Sequence, residues 1–237
     1  MSSRLASFKG PSTPTSSPVQ QRQANSSAPP SPARIVESTY HRKLRTLLQE
    51  LRSTTETWDD IVLIDGLKAA KSLVDTRTEL DNSLARTPNR LPRTRIVGPT
   101  LEAMDQRISE LDIVLMKLQK QFRKMNTIVE SLDALVIEAH KNKGWQWVEK
   151  EPLWTTWPLE KFGSGYVVSR VPEILVPYHR ALSGHIALVN ILKSHSISFD
   201  ESRDAILKWA EQPWLEEHGW DAGWEDLCSV EIDRWNR

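Results

Sequence analysis

Histidine, cysteine and paired carboxylates are the side chains through which this sequence could do chemistry, and their spacing counts against each use in turn. The six histidines, His41, His140, His179, His185, His195 and His218, are scattered. No His-x3-His or Cys-x2-Cys pair marks a zinc site. His179 and His185 stand six apart, which puts them on different faces of a helix, so both read as satisfied or solvent-facing groups. Cys228 is the single cysteine. Its apolar helical setting, with no histidine close in sequence, fits buried filler better than a nucleophile. Asp59-Asp60 and Glu216-Glu217 read as solvated charge rather than a general acid and base. The nine glycines form neither a phosphate loop nor a dinucleotide fingerprint. These patterns predict no catalytic residue, no cofactor and no metal.

Hydroxyls beside proline are the next candidates. Thr13-Pro14, Ser17-Pro18, Ser31-Pro32-Ala33-Arg34 and Thr87-Pro88-Asn89-Arg90 match what proline-directed kinases modify, the last two with the favoured base. Phosphates on Thr13, Ser17, Ser31 and Thr87 would each add about −1.5 to −2 charge.

Tryptophan is the third. All ten except Trp58 lie beyond Gly144. Stacking platforms for bases normally come with interleaved lysine and arginine, whereas the neighbours here are Glu149, Glu151, Glu216, Glu217 and Asp221. Core packing and protein interface, where tryptophan is enriched at energetic hot spots, are the better readings.

The elements that must position these groups are helices. Leu101, Met104, Ile108, Leu111, Leu115, Leu118, Phe122, Met125, Val129, Leu132, Val136 and Ala139 alternate steps of three and four without a slip, the seam of a helix packed on partner helices. Val114, Ile128 and Leu135 widen that stripe toward a bundle or hairpin. Pro99 and Thr100 suit its entry, Lys141, Lys143 and Gly144 its exit. A second stripe runs from Tyr40 through Leu44, Leu48, Leu51, Trp58, Leu67 and Leu73 to Leu80, with Gly66 a weak point that suits a bend.

The expected fold is therefore all-α. A disordered Ser/Pro-rich tail covers residues 1–36. A long antiparallel helical hairpin or coiled coil covers 37–142, with helices over about 38–82 and 100–141 and a loop at 83–99. A Trp-rich helical region covers 143–237. In that region helices are expected over Tyr166–Lys193, with Pro177 kinking the helix or delaying its true start, then from a capping box at Ser198-Phe199-Asp200-Glu201, then over Trp224–Trp235.

The net charge of zero conceals a tail with no acid before Glu37 and an acidic end after Asp200, and gives no basic field for direct nucleic-acid binding. One cysteine excludes an internal disulfide and suits a reducing compartment. No apolar run is long enough for a membrane span, and Pro11, Pro14, Pro18, Pro29, Pro30 and Pro32 would break a mitochondrial targeting helix.

Three stretches carry a resemblance. Trp58 with Ile61, Val62 and Leu63, Trp154-Thr155-Thr156-Trp157-Pro158 ahead of a helix bearing Tyr178-His179-Arg180, and Ile206 to Trp214 with Trp209-Ala210-Glu211-Gln212-Pro213-Trp214 resemble the family of cyclin-dependent kinase 2-interacting proteins. An aromatic-x-Thr-Trp-Pro box and a Trp-x-x-Gln-Pro-aromatic box occur there in this order behind a coiled coil. The resemblance covers roughly residues 55 to 230. It implies a non-catalytic adaptor of the nucleus, with the cytoplasm as a second location, tied to cyclin-dependent kinase and cyclin, to a checkpoint kinase adaptor and DNA replication, and to an AAA-type ATPase assembly acting on pre-60S ribosomal particles. Trp154, Trp157, Pro158, Trp209, Gln212, Pro213 and Trp214 are the partner-binding positions it implies. The competing reading is a structural coiled-coil subunit of a kinetochore or tethering complex.

Overall fold

Ser38 opens the first helix. Its hydroxyl accepts from the His41 amide at 3.0 Å, satisfying one of the donors left over at a helix start. The computed structural model describes residues 38–86, 94–150, 171–194, 196–216 and 220–233. The expected disordered tail, Thr13, Ser17, Ser31, Thr87, Trp154, Trp157, Pro158 and Trp235 lie outside the described residues.

From Ser38 the chain runs unbroken through α1 (Thr39–Asp60), a π-helical segment (Ile61–Gly66) and α2 (Leu67–Arg86). It returns in α3 (Thr94–Lys143). The two long helices therefore reach further than the periodicity predicts, to Arg86 and back to Thr94, and the connection is shorter than 83–99. Pro99 lies inside α3 rather than at its entry. So near the helix start it removes a single intrahelical hydrogen bond, which water can replace.

The pairing is antiparallel and closes within the chain. Asn142 donates to the Tyr40 hydroxyl at 2.9 Å, Lys43 pairs with Glu138 at 3.3 Å, Lys124 with Glu50 at 3.3 Å and Lys117 with Asp65 at 2.7 Å. Partners on α3 run backward as those on α1 run forward. Met104, Leu111, Leu118, Met125, Leu132 and Ala139, one per heptad, are all sealed. Val114, Ile128 and Leu135 flank them on one side, buried, and Ile108, Leu115, Phe122 and Val136 on the other, partly buried. The wide stripe is a bundle face, not a two-stranded seam.

Gly144, with φ of 80°, ends α3 in the left-handed conformation that favours glycine, and α4 (Trp145–Lys150) follows. A 3-10 turn (Val171–Ile174) leads into α5 (Leu175–Lys193). Pro177 falls in the first turn of α5, where its missing N–H costs nothing. The Ser198 and Glu201 capping box opens α6 (Phe199–Glu211) as predicted. The short α7 (Pro213–Glu216) and α8 (Trp220–Glu231) complete the chain; α8 starts earlier than the expected Trp224. The described residues contain no strand, and the all-α expectation holds. Residues Glu37–Arg237 form one compact unit: α5 packs on α3, α6 on α2 and α8 on α1, so the helices of the Trp-rich region lie along the hairpin.

Candidate functional site

Two of the aromatic residues that the sequence singles out, Trp58 and Trp209, meet at the π segment. At 3.6 residues per turn, Asp65 would lie on the same face as Trp58 and Val62 and would be forced inward. Ile61, Val62 and Ile64 are also β-branched, which crowds regular helix. The wider π winding delays the inward face by one residue. Gly66 is buried in its place, and Asp65 turns out to meet Lys117.

Trp209 of α6 fills the space that Gly66 leaves. A β-carbon at position 66 would lie 2.5 Å from Trp209 Cζ2, so the glycine is needed for close approach rather than for a bend. Trp209 Nε1 donates to the Val62 carbonyl at 3.0 Å, which also receives the Leu67 amide five residues on. A π turn thus serves as an indole receptor, in keeping with the frequent appearance of π segments at special sites.

Gln212 ends α6 at φ 46°, a left-handed conformation that costs a non-glycine residue on the order of 1 kcal/mol. Its side chain spans the resulting corner. Trp58 Nε1 donates to Gln212 Oε1 at 3.1 Å, and Gln212 Nε2 donates to Asp59 Oδ1 at 3.1 Å. Pro213 then occupies the first position of α7, where proline is favoured. Trp214 lies over Gly184 of α5, where any β-carbon would collide with the indole.

His185 sits at the centre, wholly buried. Its ring lies 4.4 Å from that of Trp209, 5.6 Å from Trp214 and 6.3 Å from Trp58, which in turn meets Tyr178 edge-on at 5.2 Å. Burial pushes the imidazole down to about 4, opposed by the nearby Gln212 side chain. Gln212 is close enough to favour the charged form, yet neither ring nitrogen completes a hydrogen bond. The ring is a neutral packing element at neutral pH.

Of the box residues in the described part of the chain, Trp209 and Gln212 are therefore core, Trp214 is half-buried and Pro213 is exposed. Trp209 and Gln212 have no free surface to offer a partner, because their polar atoms are already committed to Val62, Trp58 and Asp59. His179 is exposed beside Phe122, at 5.7 Å, on a different face from His185 as the spacing requires.

Cys228 is buried, and burial raises its thiol to about 12 against the lowering effect of Arg52. It remains a protonated, unreactive thiol. Among the described residues no group of three or more His, Cys, Asp or Glu could hold a metal ion, and no helix is long and apolar enough to cross a membrane.

Two polar positions of structural weight were missed or misread: Arg77 was not singled out, and His185, expected to be satisfied or solvent-facing, is buried without a hydrogen bond on either ring nitrogen. Arg77 of α2, buried, donates from Nη2 to the Leu192 carbonyl at 2.6 Å and from Nη1 to Ser202 Oγ at 3.4 Å. It caps the end of α5 and ties it to α6, while its burial lowers its basicity against the influence of Asp81. His185 is the other. Each stands at an apolar stripe position, Arg77 between Leu73 and Leu80 and His185 between Leu182 and Val189, and that misplacement is the signal that could have found them. No protein-family model matches the chain, and no curated protein is significantly similar to it.

Proposed function

We propose that this chain is a non-catalytic adaptor, a nuclear member of the family of cyclin-dependent kinase 2-interacting proteins. Its partners on that reading are cyclin-dependent kinase and cyclin, a checkpoint kinase adaptor, and an AAA-type ATPase assembly of pre-60S ribosome maturation. The support from the residues themselves is one observation about where apolar side chains end up. Ile64, Ile113 and Met116 are 62%, 47% and 59% exposed around the Asp65–Lys117 ion pair, while His185, Trp58 and Trp209 are sealed. A rigid helical body that hides its polar chemistry and displays grease beside a charged pair is suited to holding macromolecules.

The test is affinity purification of the tagged chain at native level followed by mass spectrometry, comparing the natural chain with an Ile64→Glu/Met116→Glu variant. Both side chains are exposed, so helical circular dichroism should be unchanged. Loss of stoichiometric partners is the expected result; an identical partner set from the variant would refute the surface assignment. The alternative of a kinetochore or tethering subunit draws on the heptad seam, but that seam is covered by α1 and α2 of the same chain and leaves no stripe for a second coiled-coil strand.

A further inference from the structure

We propose that the groove between α5 and α6 is the docking site for an amphipathic helix of a partner protein, one carrying a basic side chain opposite Asp204 and an acidic one opposite Lys208. The inference deepens the adaptor reading and rests on it. The groove is open to solvent and holds about 500 Å³. Its floor is Leu188 and Ala205, both buried, and Ile191, 46% exposed, forms a wall.

The charges decide what fits. Glu201, Asp204, Ala205 and Lys208 recur at the spacing of a single helix face and line the groove over two turns, roughly 10 Å. Glu201 is already used, accepting from the Ser198 amide and hydroxyl, each at 2.9 Å. Asp204 and Lys208 make no ion pair or side-chain hydrogen bond among the described residues. An unpaired carboxylate and an unpaired ammonium, one turn apart beside an apolar trough, ask for a partner whose charges run in the opposite order.

The walls decide its conformation. The two long walls are helices whose interior amides and carbonyls are consumed in their own hydrogen bonds, and the turn at Ser194, Ser196 and Ile197 closes one end, so an extended peptide laid along the walls would find no free strand edge to pair with. A helix satisfies its own backbone and can lay an apolar stripe between α5 and α6 as a third member of the bundle.

The experiment is a selection on the immobilised full-length chain from a displayed library of short amphipathic helices, followed by fluorescence anisotropy with the selected peptides. The expected winners share an apolar stripe flanked by a base one turn from an acid. Ile191→Glu should weaken them roughly tenfold or more, and an Asp204→Lys/Lys208→Glu exchange should enrich the opposite charge order in a fresh selection. Winners without a charge order, or winners that bind Ile191→Glu as tightly as the natural chain, would overturn the site and leave the adaptor reading standing. No winner at all, together with native partners recovered unchanged by the Ile191→Glu chain, would also overturn it. Absence of any stoichiometric partner for the unmodified chain in cells would instead remove the adaptor reading itself.

Discussion

His185 should make the fold acid-sensitive in a window set by its own titration. Its imidazole falls from 6.5 to about 4 on folding, and a depression of that size corresponds to roughly 3 kcal/mol of preference for the neutral ring. Between those values the unfolded chain binds the proton that the folded chain refuses. The contribution is therefore fully present above the unfolded pKa and is lost as the pH falls from about 6.5 toward about 4. Trp58, Trp209 and Trp214 surround the ring, and among the described residues the Gln212 side chain is the polar neighbour that favours its charged form. The assay is urea unfolding, followed by tryptophan fluorescence and far-ultraviolet circular dichroism, for the natural chain and for His185→Leu. Other titrating groups are common to both proteins and cancel in the difference. Whatever offset the leucine introduces by repacking, the difference in unfolding free energy should move by roughly 3 kcal/mol in favour of His185→Leu between about pH 7.5 and about pH 4. A difference that stays constant across that range would refute the reasoning.

Three further outcomes follow from the same contacts. Gly66→Ala and Gly184→Ala should each lose about 1 to 3 kcal/mol, since a methyl group meets the Trp209 or Trp214 indole at a forbidden distance, whereas Gly98→Ala, with nothing within 4 Å in a helix, should be neutral or slightly stabilising; melting temperatures distinguish the three. Arg77→Leu should cost about 1.5 to 3 kcal/mol in denaturant unfolding by stripping the α5 end of its charged cap, with Arg77→Lys recovering part of the loss. Ser198→Ala removes the hydroxyl half of the capping box while the amide of position 198 can still donate to Glu201, and should cost about 1 kcal/mol, with faster amide exchange confined to the first turn of α6.

These predictions bear on the adaptor reading through one feature. The Trp-x-x-Gln-Pro-aromatic box, implied by resemblance to grip partners, acts inside this structure as the bolt between α6, the π segment and α5. Alanine at Trp214 would open the packing over Gly184, so loss of a partner in that variant would report on the fold as much as on an interface. Substitutions at Ile64, Met116 or Ile191, which are exposed, separate the two.

Apolar periodicity and capping residues determine that the described residues are helical, that two long helices pair, where α6 begins and that Gly144 ends α3. These are local properties, written in the spacing of apolar groups and in the caps, and each is legible one segment at a time. The extent of the helices was less so, because Arg86 and Thr94 lie on polar turns that carry no stripe. Tertiary structure decided the rest. Whether the seam closed within the chain depended on α1 and α2 covering it. The π segment arises because Trp209, more than a hundred residues away, needs the space at Gly66 and the Val62 carbonyl, while Asp65 must escape burial. His185 and Arg77 show the same limit: a polar residue on an apolar stripe announces that something unusual is buried, but which rings or carbonyls receive it depends on helices that arrive from elsewhere in the chain.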